Sequence, residues 1–210
     1  MKLIDWFRRA ALNIFTPVTK TIGSMHLLAT HKRVNEDDFG MIKAMAKPGM
    51  VIVTRTSGEA SNLFIPGFWT HAAIVYGANG SEDGEIRVVQ ATRAGVVATG
   101  LPSFLFSKDY VMLLDPIFAD AQQKIAAANW AFDQIGKPYD WDFLPPELTE
   151  TGITTPKSFY CSKLVWASYL QACGPNVPFT LRTTLGVPTV APDDLAMAVA
   201  KFAHLYSNKV

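Results

Sequence analysis

Five short apolar segments with the composition of β-strands follow one another in the middle of the chain. Turn residues separate them, and the link from Gly77 to Gly84 is the richest in such residues. The segments span residues 51–54, 71–76, 86–91, 95–98 and 110–114. Helical patterns lie before and after them, starting near Asn35 and then covering 118–135, 161–174 and 192–206. This order of helices, strand meander and helices predicts an α+β fold with a sheet of about five strands.

The size and charge of the chain restrict the kinds of protein it can be. A chain of 210 residues, 49% of them hydrophobic, suits one well-buried domain with extra helices. We divide it into an N-terminal helical extension, 1–47, and a main domain, 48–210. The formal net charge is +1, and no basic cluster forms a phosphate-binding surface, so we expect no nucleic-acid partner.

Two cysteines lie on one predicted helix. Cys161 and Cys173 are twelve positions apart, which corresponds to about 18 Å along a helix. A disulfide needs Cα atoms within about 7 Å, so we expect two free thiols, which favours a reducing compartment. We find no secretory signal, and Pro66 interrupts the longest uncharged run, 60–81. The sequence thus predicts a cytoplasmic protein.

An amphipathic pattern at the N-terminus leaves a second possibility for localisation. Its apolar residues follow helical spacing up to Pro17, with charged residues on the other side. A helix packed on the domain is the simpler interpretation. Trp, Phe and basic residues together also suit an interfacial helix, so peripheral membrane contact stays open. The apolar residues are Leu3, Ile4, Trp6, Phe7, Ala10, Ala11, Ile14 and Phe15.

The chemically most informative stretch is the one that begins at Tyr160 and continues through Cys161 into an apolar helical pattern. The preceding residues indicate a loop, so Cys161 lies in or near the first turn of the helix. Unpaired backbone N–H groups and the positive end of the helix dipole stabilise a thiolate there. Cys161 is therefore a candidate nucleophile, and its backbone N–H is a candidate donor to an oxyanion.

A nucleophilic thiol needs a base, and His71 is the best placed of four histidines. It begins a strand directly after the aromatic-rich segment that ends in Trp69, and a base at a strand end can face a helix N-terminus. Gln90 lies one hairpin away among apolar residues, where a buried amide must find a partner. Its carbonyl oxygen could accept from one ring nitrogen and orient the other toward sulfur. The alternatives are a structural histidine and a solvent-facing Gln90.

The motifs, taken in order, resemble a known superfamily. They are Pro48 to Thr56, Trp69-Thr70-His71-Ala72-Ala73-Ile74, Gly136 to Asp140, Phe159 to Val165, and Ala191 to Leu195. This arrangement is similar to the circularly permuted branch of the NlpC/P60 superfamily, in particular to the YiiX/YebB-like permuted papain-like amidases. Lecithin–retinol acyltransferase is a more distant relative. The resemblance covers about residues 48–200 and implies a papain-like fold.

Residue by residue, the resemblance implies Cys161 as nucleophile, His71 as base and Gln90 as the residue that orients the base. Relatives often carry a carboxylate in place of Gln90 and a glutamate in place of Lys163. Lys163 could favour the thiolate or point to water, and we expect the latter.

Aromatic residues near these motifs are candidates for substrate binding. We predict this role for Trp69, Tyr139 and Tyr160. Trp141 and Phe143 lie in the same irregular loop as Tyr139, residues 139–158, and are further candidates. Anchoring in the core is the alternative for each. No CxxC or HExxH spacing and no phosphate-binding glycine loop occurs, so the sequence predicts neither a metal nor a cofactor.

We therefore expect a cysteine hydrolase that cleaves an amide bond through a thioacyl intermediate. The resemblance implies a small substrate, either a peptide, for example one derived from the cell wall, or an amidated acyl group. A membrane-associated lipid acyltransferase or thioesterase would use the same Cys161 and His71. A catalytically inactive binding module is the third hypothesis, supported by Gln90 in place of an acid.

Overall fold

A computed structural model describes residues 33–57, 65, 67–77, 85–143, 145–148, 153–175, 177–179, 181–184, 187–198 and 201–209. The predicted N-terminal amphipathic helix, with His26 and His31, lies outside the described residues. The helices are α1 (Glu36–Met45), α2 (Leu101–Leu105), α3 (Ala121–Phe132), α4 (Cys161–Cys173) and α5 (Pro192–Met197). The strands are β1 (Val51–Arg55), β2 (His71–Gly77), β3 (Ile86–Thr92), β4 (Gly95–Gly100), β5 (Tyr110–Pro116), β6 (Glu147–Leu148), β7 (Ile153–Thr154), β8 (Arg182–Thr184), β9 (Val187–Thr189) and β10 (Phe202–Ser207).

One antiparallel sheet organises the domain. Its strand order is β10-β5-β1-β2-β3-β4, while β6–β7 and β8–β9 form two separate small hairpins. All five strands predicted from the sequence are present in this sheet, and the α+β class is confirmed. Neighbours in the chain pair directly from β1 to β4, so the sheet keeps the meander order in that half.

The sixth strand corrects the prediction for the C-terminal segment. The predicted helix over 192–206 ends at Met197, and Phe202–Ser207 instead pair antiparallel with β5. Without this strand, β5 would leave a row of backbone N–H and C=O groups unpaired at the sheet edge. Pairing with β5 and burial of Phe202, which is 1% exposed, outweigh the local helical pattern.

The helix predicted near Asn35 is confirmed as α1, and its start is fixed locally. The Asn35 side chain accepts from the Asp38 backbone N–H, and the Asp38 carboxylate accepts from the Asn35 backbone N–H. This reciprocal pair is a capping box. Ile42 of α1 is fully buried against the sheet, so this part of the predicted extension packs on the main domain.

Helices cover both faces of the sheet. Alternate residues of β2 point to opposite sides, so Ala72 and Ile74 pack with α3 and α4, whereas Ala73 and Val75 pack with α1 and α2. Helix α4 ends at Gly174, as predicted, and φ of 84° at this glycine provides the left-handed conformation that ends many helices. The two cores hold β2 rigidly between them, and β2 carries His71.

Across the described ranges, no helix is both long enough and apolar enough to cross a membrane.

Candidate active site

Cys161 is the first residue of α4, as the sequence predicted. The residue before it, Tyr160, is extended and provides no side-chain cap, so the backbone N–H groups of the first turn are not used by a capping oxygen. The side chain of Ser162 donates to the carbonyl oxygen of Val190 at 2.5 Å. This bond fixes the first turn of α4 against the segment that leads into α5.

The thiol of Cys161 is buried, at 4% exposure. Burial raises the pKa of Cys161 above the ordinary value, and this effect outweighs the hydrogen bonds from the backbone of Ala72 and Ser162, which lower it. The helix N-terminus alone predicted a thiolate, whereas the folded protein favours the neutral thiol before substrate binds. Desolvation is the reason for the difference, because the charged form loses its water.

His71 begins β2, and its Nε2 lies 2.7 Å from Oε1 of Gln90. The Gln90 side chain in turn donates from Nε2 to Oγ1 of Thr99 at 2.9 Å. Because the amide nitrogen is committed to Thr99, its oxygen is the acceptor for the histidine, which places the ring proton on Nε2 and leaves Nδ1 with a lone pair. The predicted hydrogen bond between the two residues is confirmed, and Gln90 is buried rather than solvent-facing.

The strand register explains why these side chains meet. Ile74 pairs with Val89, which places His71 and Gln90 on the same face of the sheet, diagonally across β2 and β3. The His71 ring lies 6.2 Å from the ring of Phe104 in α2, so this face is the one that α2 covers.

The His71 imidazole is neutral in the resting protein. Its pKa is lowered to about 3, mainly by burial and also by the positive charge of Lys108, while the hydrogen bond that the ring donates to Gln90 opposes both effects. The resting pair is thus a neutral thiol and a neutral imidazole.

Cys161 lies near the first residues of β2, the strand that His71 begins. The backbone of Ala72, the residue that directly follows His71, lies close enough to the thiol to lower the pKa of Cys161. The nucleophile therefore lies at the same strand end as the imidazole, although α4 and the His71 ring pack on different faces of the sheet.

A comparison with known families places most of the chain. Residues 45–210 match the family described as permuted papain-like amidase enzyme, YaeF/YiiX, C92 family. The chain belongs to this family. It is therefore a hydrolase of the cysteine peptidase and amidase class, and the permuted papain-like fold implied by the resemblance is confirmed.

Two individual proteins are similar to this C92-family chain. The uncharacterized protein YycO of Bacillus subtilis (strain 168) is 32% identical over 65 residues, which is 31% of this chain and 25% of YycO. The crystal structure of yiiX from Escherichia coli O157:H7 superposes with a TM-score of 0.59 at 18% identity, covering 77% of this chain and 97% of yiiX. At that identity the likeness to yiiX concerns the fold alone.

The structure of yiiX is described as that of a metalloprotein. In the part of this C92-family chain that the structure describes, no three His, Cys, Asp or Glu side chains are grouped so that they could hold a metal ion. The described residues therefore do not fit a metal centre like those built from such side chains.

The carboxylate of Asp193, within the motif Ala191 to Leu195, holds the loop before His71. Oδ1 of Asp193 accepts from the backbone N–H groups of Phe68 at 2.9 Å and Trp69 at 3.1 Å. Gly67 has φ of 102°, and a Cβ there would lie 2.3 Å from Cγ of Asp193. Only glycine allows the carboxylate to approach this closely. Asp193 is thus a positioning residue for the approach to His71.

The predicted substrate-binding aromatics differ in exposure. Trp69 is 2% exposed and packs in the core, which favours an anchoring role over contact with substrate. Tyr160 is also buried, while Tyr139 is partly exposed. Burial raises the pKa of Tyr139 well above its ordinary value, and a charge on Cys161 would raise it further. Tyr139 therefore lies near the nucleophile.

Lys163 does not point to water, contrary to our expectation. Its side chain is 4% exposed, and Nζ donates to Oδ2 of Asp140 at 2.5 Å. The partner lies 23 residues earlier in the chain, in the loop before α4, so no local pattern could have indicated the pair. Asp140, Thr99 and Asp193 are the site residues that sequence reasoning missed.

Proposed function

We propose that this C92-family hydrolase cleaves an amide bond in a peptide or an amidated acyl group, with Cys161, His71 and Gln90 as its catalytic residues. The observation that carries the proposal is the hydrogen bond of His71 to Gln90, which fixes the imidazole tautomer one residue before Ala72, whose backbone lowers the pKa of the Cys161 thiol. Peptides derived from the cell wall are one candidate substrate class. No nucleic-acid partner is proposed.

In the proposed mechanism the charged pair forms only during the reaction. Sγ of Cys161 attacks the carbonyl carbon while its proton moves to Nδ1 of His71, and the Cys161 backbone N–H donates to the oxyanion. The imidazolium then protonates the leaving amine as the C–N bond breaks. Water attacks the thioester, releases the acid and regenerates the thiol.

Gln90 has a specific part in this proposal. As a neutral acceptor it holds the ring through Nε2–H, but it cannot stabilise the imidazolium as a carboxylate would. A neutral resting pair needs no such charge, which agrees with the low pKa of His71. Substrate binding, rather than a preformed ion pair, then starts the proton transfer.

The rate of alkylation by iodoacetamide as a function of pH tests the proposal, with Cys173 as the internal reference thiol. A Cys173→Ser variant reports Cys161, and a Cys161→Ala variant reports Cys173. Burial raises the pKa of Cys161 and by itself would slow its alkylation, so a faster reaction needs general-base assistance from His71; with that assistance we expect Cys161 to react on the order of 10²-fold faster than Cys173 at pH 7.

His71→Ala should remove that advantage, and Gln90→Ala should remove part of it. Equal rates for the two thiols, unaffected by His71→Ala, would leave the catalytic pair without support.

We propose no second function. The acyltransferase hypothesis needs contact with a membrane; the N-terminal helix that could provide it lies outside the described residues, and Trp69 in the loop before His71 is buried.

A further inference from the structure

A cluster of aromatic side chains lies in the loop that leads to the nucleophile. The ring of Tyr139 is 4.7 Å from that of Trp141 and 6.5 Å from that of Phe143. The Phe143 ring is in turn 5.4 Å from the ring of Tyr160, the residue before Cys161. Tyr139, Trp141 and Phe143 are only partly buried, so the cluster keeps some apolar surface exposed beside Tyr160, the residue that precedes the nucleophile.

The backbone of this loop is held in an unusual conformation. Phe143 has φ of 52°, and it is the one non-glycine residue with positive φ in the described part of the chain. A bulky side chain in this region is strained, and such strain concentrates at functional sites. The contacts with Tyr139 and Tyr160 keep the Phe143 ring in place despite that cost.

The ion pair of Asp140 and Lys163 fastens the loop to α4. Besides accepting from Lys163, Asp140 accepts from the backbone N–H of Asp142 through Oδ1 at 3.0 Å. Its own backbone N–H donates to the carbonyl oxygen of Phe159, also at 3.0 Å. One residue thus connects the aromatic loop, the strand-like segment before Cys161 and the first turn of α4.

The pair has no evident advantage for helix stability. A cation in the first turn is unfavourable with the helix dipole, and a buried ion pair commonly gains little over apolar residues of the same volume. The pair does fix the position of the aromatic loop relative to α4. It fastens the loop to α4 at Asp140, which lies between Tyr139 and Trp141, two of the three partly exposed rings.

We propose that Tyr139, Trp141 and Phe143 form a subsite for an apolar or aromatic group next to the scissile amide, positioned by the Asp140–Lys163 pair. This inference rests on the proposed function of Cys161 and states which amides that function favours. Asp140 and Lys163 are positioning residues, because they act through the loop, whereas the rings contact the substrate.

Two alkylating agents with the same warhead test the subsite without a known substrate. Iodoacetamide and N-phenyliodoacetamide both alkylate Cys161, and only the second offers a ring to the subsite. The measured quantity is the ratio of the two rate constants. Since an aromatic contact is worth about 0.5–1.5 kcal/mol, we expect Phe143→Ala to lower the ratio by about two- to tenfold. Asp140→Asn should lower it in the same direction.

The controls distinguish a displaced aromatic loop from a protein that has lost its fold. Asp115→Asn breaks the ion pair with Lys124, which lies away from Cys161, and should leave the ratio unchanged. The double variant Asp140→Asn with Lys163→Met removes both charges and should fold. Its ratio of the two alkylation rate constants should still be lower than that of the wild type, because the loop is no longer fastened to α4. Thermal melting verifies that each variant is folded.

Two outcomes are distinguishable. If His71→Ala slows plain iodoacetamide but the ratio is unmoved by Phe143→Ala and by the double variant, the subsite is wrong and the catalytic pair stands. If His71→Ala leaves the rate of alkylation by iodoacetamide unchanged, the proposed function itself is wrong.

Discussion

The two sides of the site hold their residues by different physical means. On the sheet side, His71, Gln90 and Thr99 form a row of neutral hydrogen bonds across three neighbouring strands. On the helix side, Asp140 and Lys163 form a buried ion pair between a loop and α4. The strands already fix the direction of their side chains, so neutral bonds suffice there. A long loop has no such register, and it needs a stronger and more directional contact.

The largest expected effect concerns the helix side. Lys163→Met leaves the Asp140 carboxylate buried without its partner, and we expect a loss of about 3–5 kcal/mol in the free energy of unfolding. Lys124→Met is the matched control, because its pair with Asp115 is 18% and 24% exposed. We expect about 1 kcal/mol or less from it. Urea unfolding measures both.

Adding Asp140→Leu to Lys163→Met should recover most of the stability, because it removes the unpaired charge. Equal losses of free energy of unfolding from Lys163→Met and Lys124→Met would show that the buried pair is no more important to stability than the partly exposed one.

The next effect concerns the sheet side and pH. The pKa of His71 is about 3 in the folded protein, against 6.5 for a free side chain. Between pH 6.5 and pH 3 the His71 imidazole is therefore protonated in the unfolded chain but neutral in the folded protein. The free energy of unfolding is for this reason unaffected by His71 above pH 6.5 and decreases as pH falls toward 3. We expect about 2–4 kcal/mol between pH 7 and pH 4.

His71→Gln should flatten this dependence, since glutamine does not titrate. The measurement is the free energy of unfolding of both proteins at several pH values. A wild-type curve parallel to that of the variant would mean that the imidazole is protonated in the fold, and the neutral resting pair would be wrong.

The smallest effect concerns Thr99 at the end of the neutral row. Thr99→Val removes the acceptor of the Gln90 amide, and loss of one neutral hydrogen bond costs about 1 kcal/mol. The amide can then rotate, so His71 loses part of its orientation. We expect a decrease of a few fold in the rate of Cys161 alkylation at pH 7.

The matched control is Thr92→Val in the same strand as Gln90, which removes a hydroxyl that bonds the backbone of Gly95 instead. A decrease as large from Thr92→Val would indicate a general loosening of β3 rather than orientation of the imidazole.

Local patterns predicted much of this molecule. The five central strands and the helix that starts at Cys161 were recognisable, because apolar periodicity and end signals act within a few residues. The hydrogen bond between His71 and Gln90 was predictable as well, since the two lie on adjacent strands of one hairpin. The catalytic roles of these residues and of Cys161 remain proposals.

Contacts between distant segments were not predictable in the same way. Asp193 holds the backbone of Phe68 across 125 positions, and Lys163 reaches Asp140 in a loop with no periodic pattern. In both cases the sequence shows an ordinary charged residue. Which partner it finds depends on how the sheet brings the loops together.

The sequence by itself determined the order of strands and helices, the cysteine at a helix start and the histidine at a strand start. The tertiary structure decided that 202–207 is a strand, because an open edge of β5 needed a partner. It also decided the protonation of the site, because burial raises the pKa of Cys161 and lowers that of His71. Desolvation depends on everything packed around a group, and no short stretch of sequence contains that information.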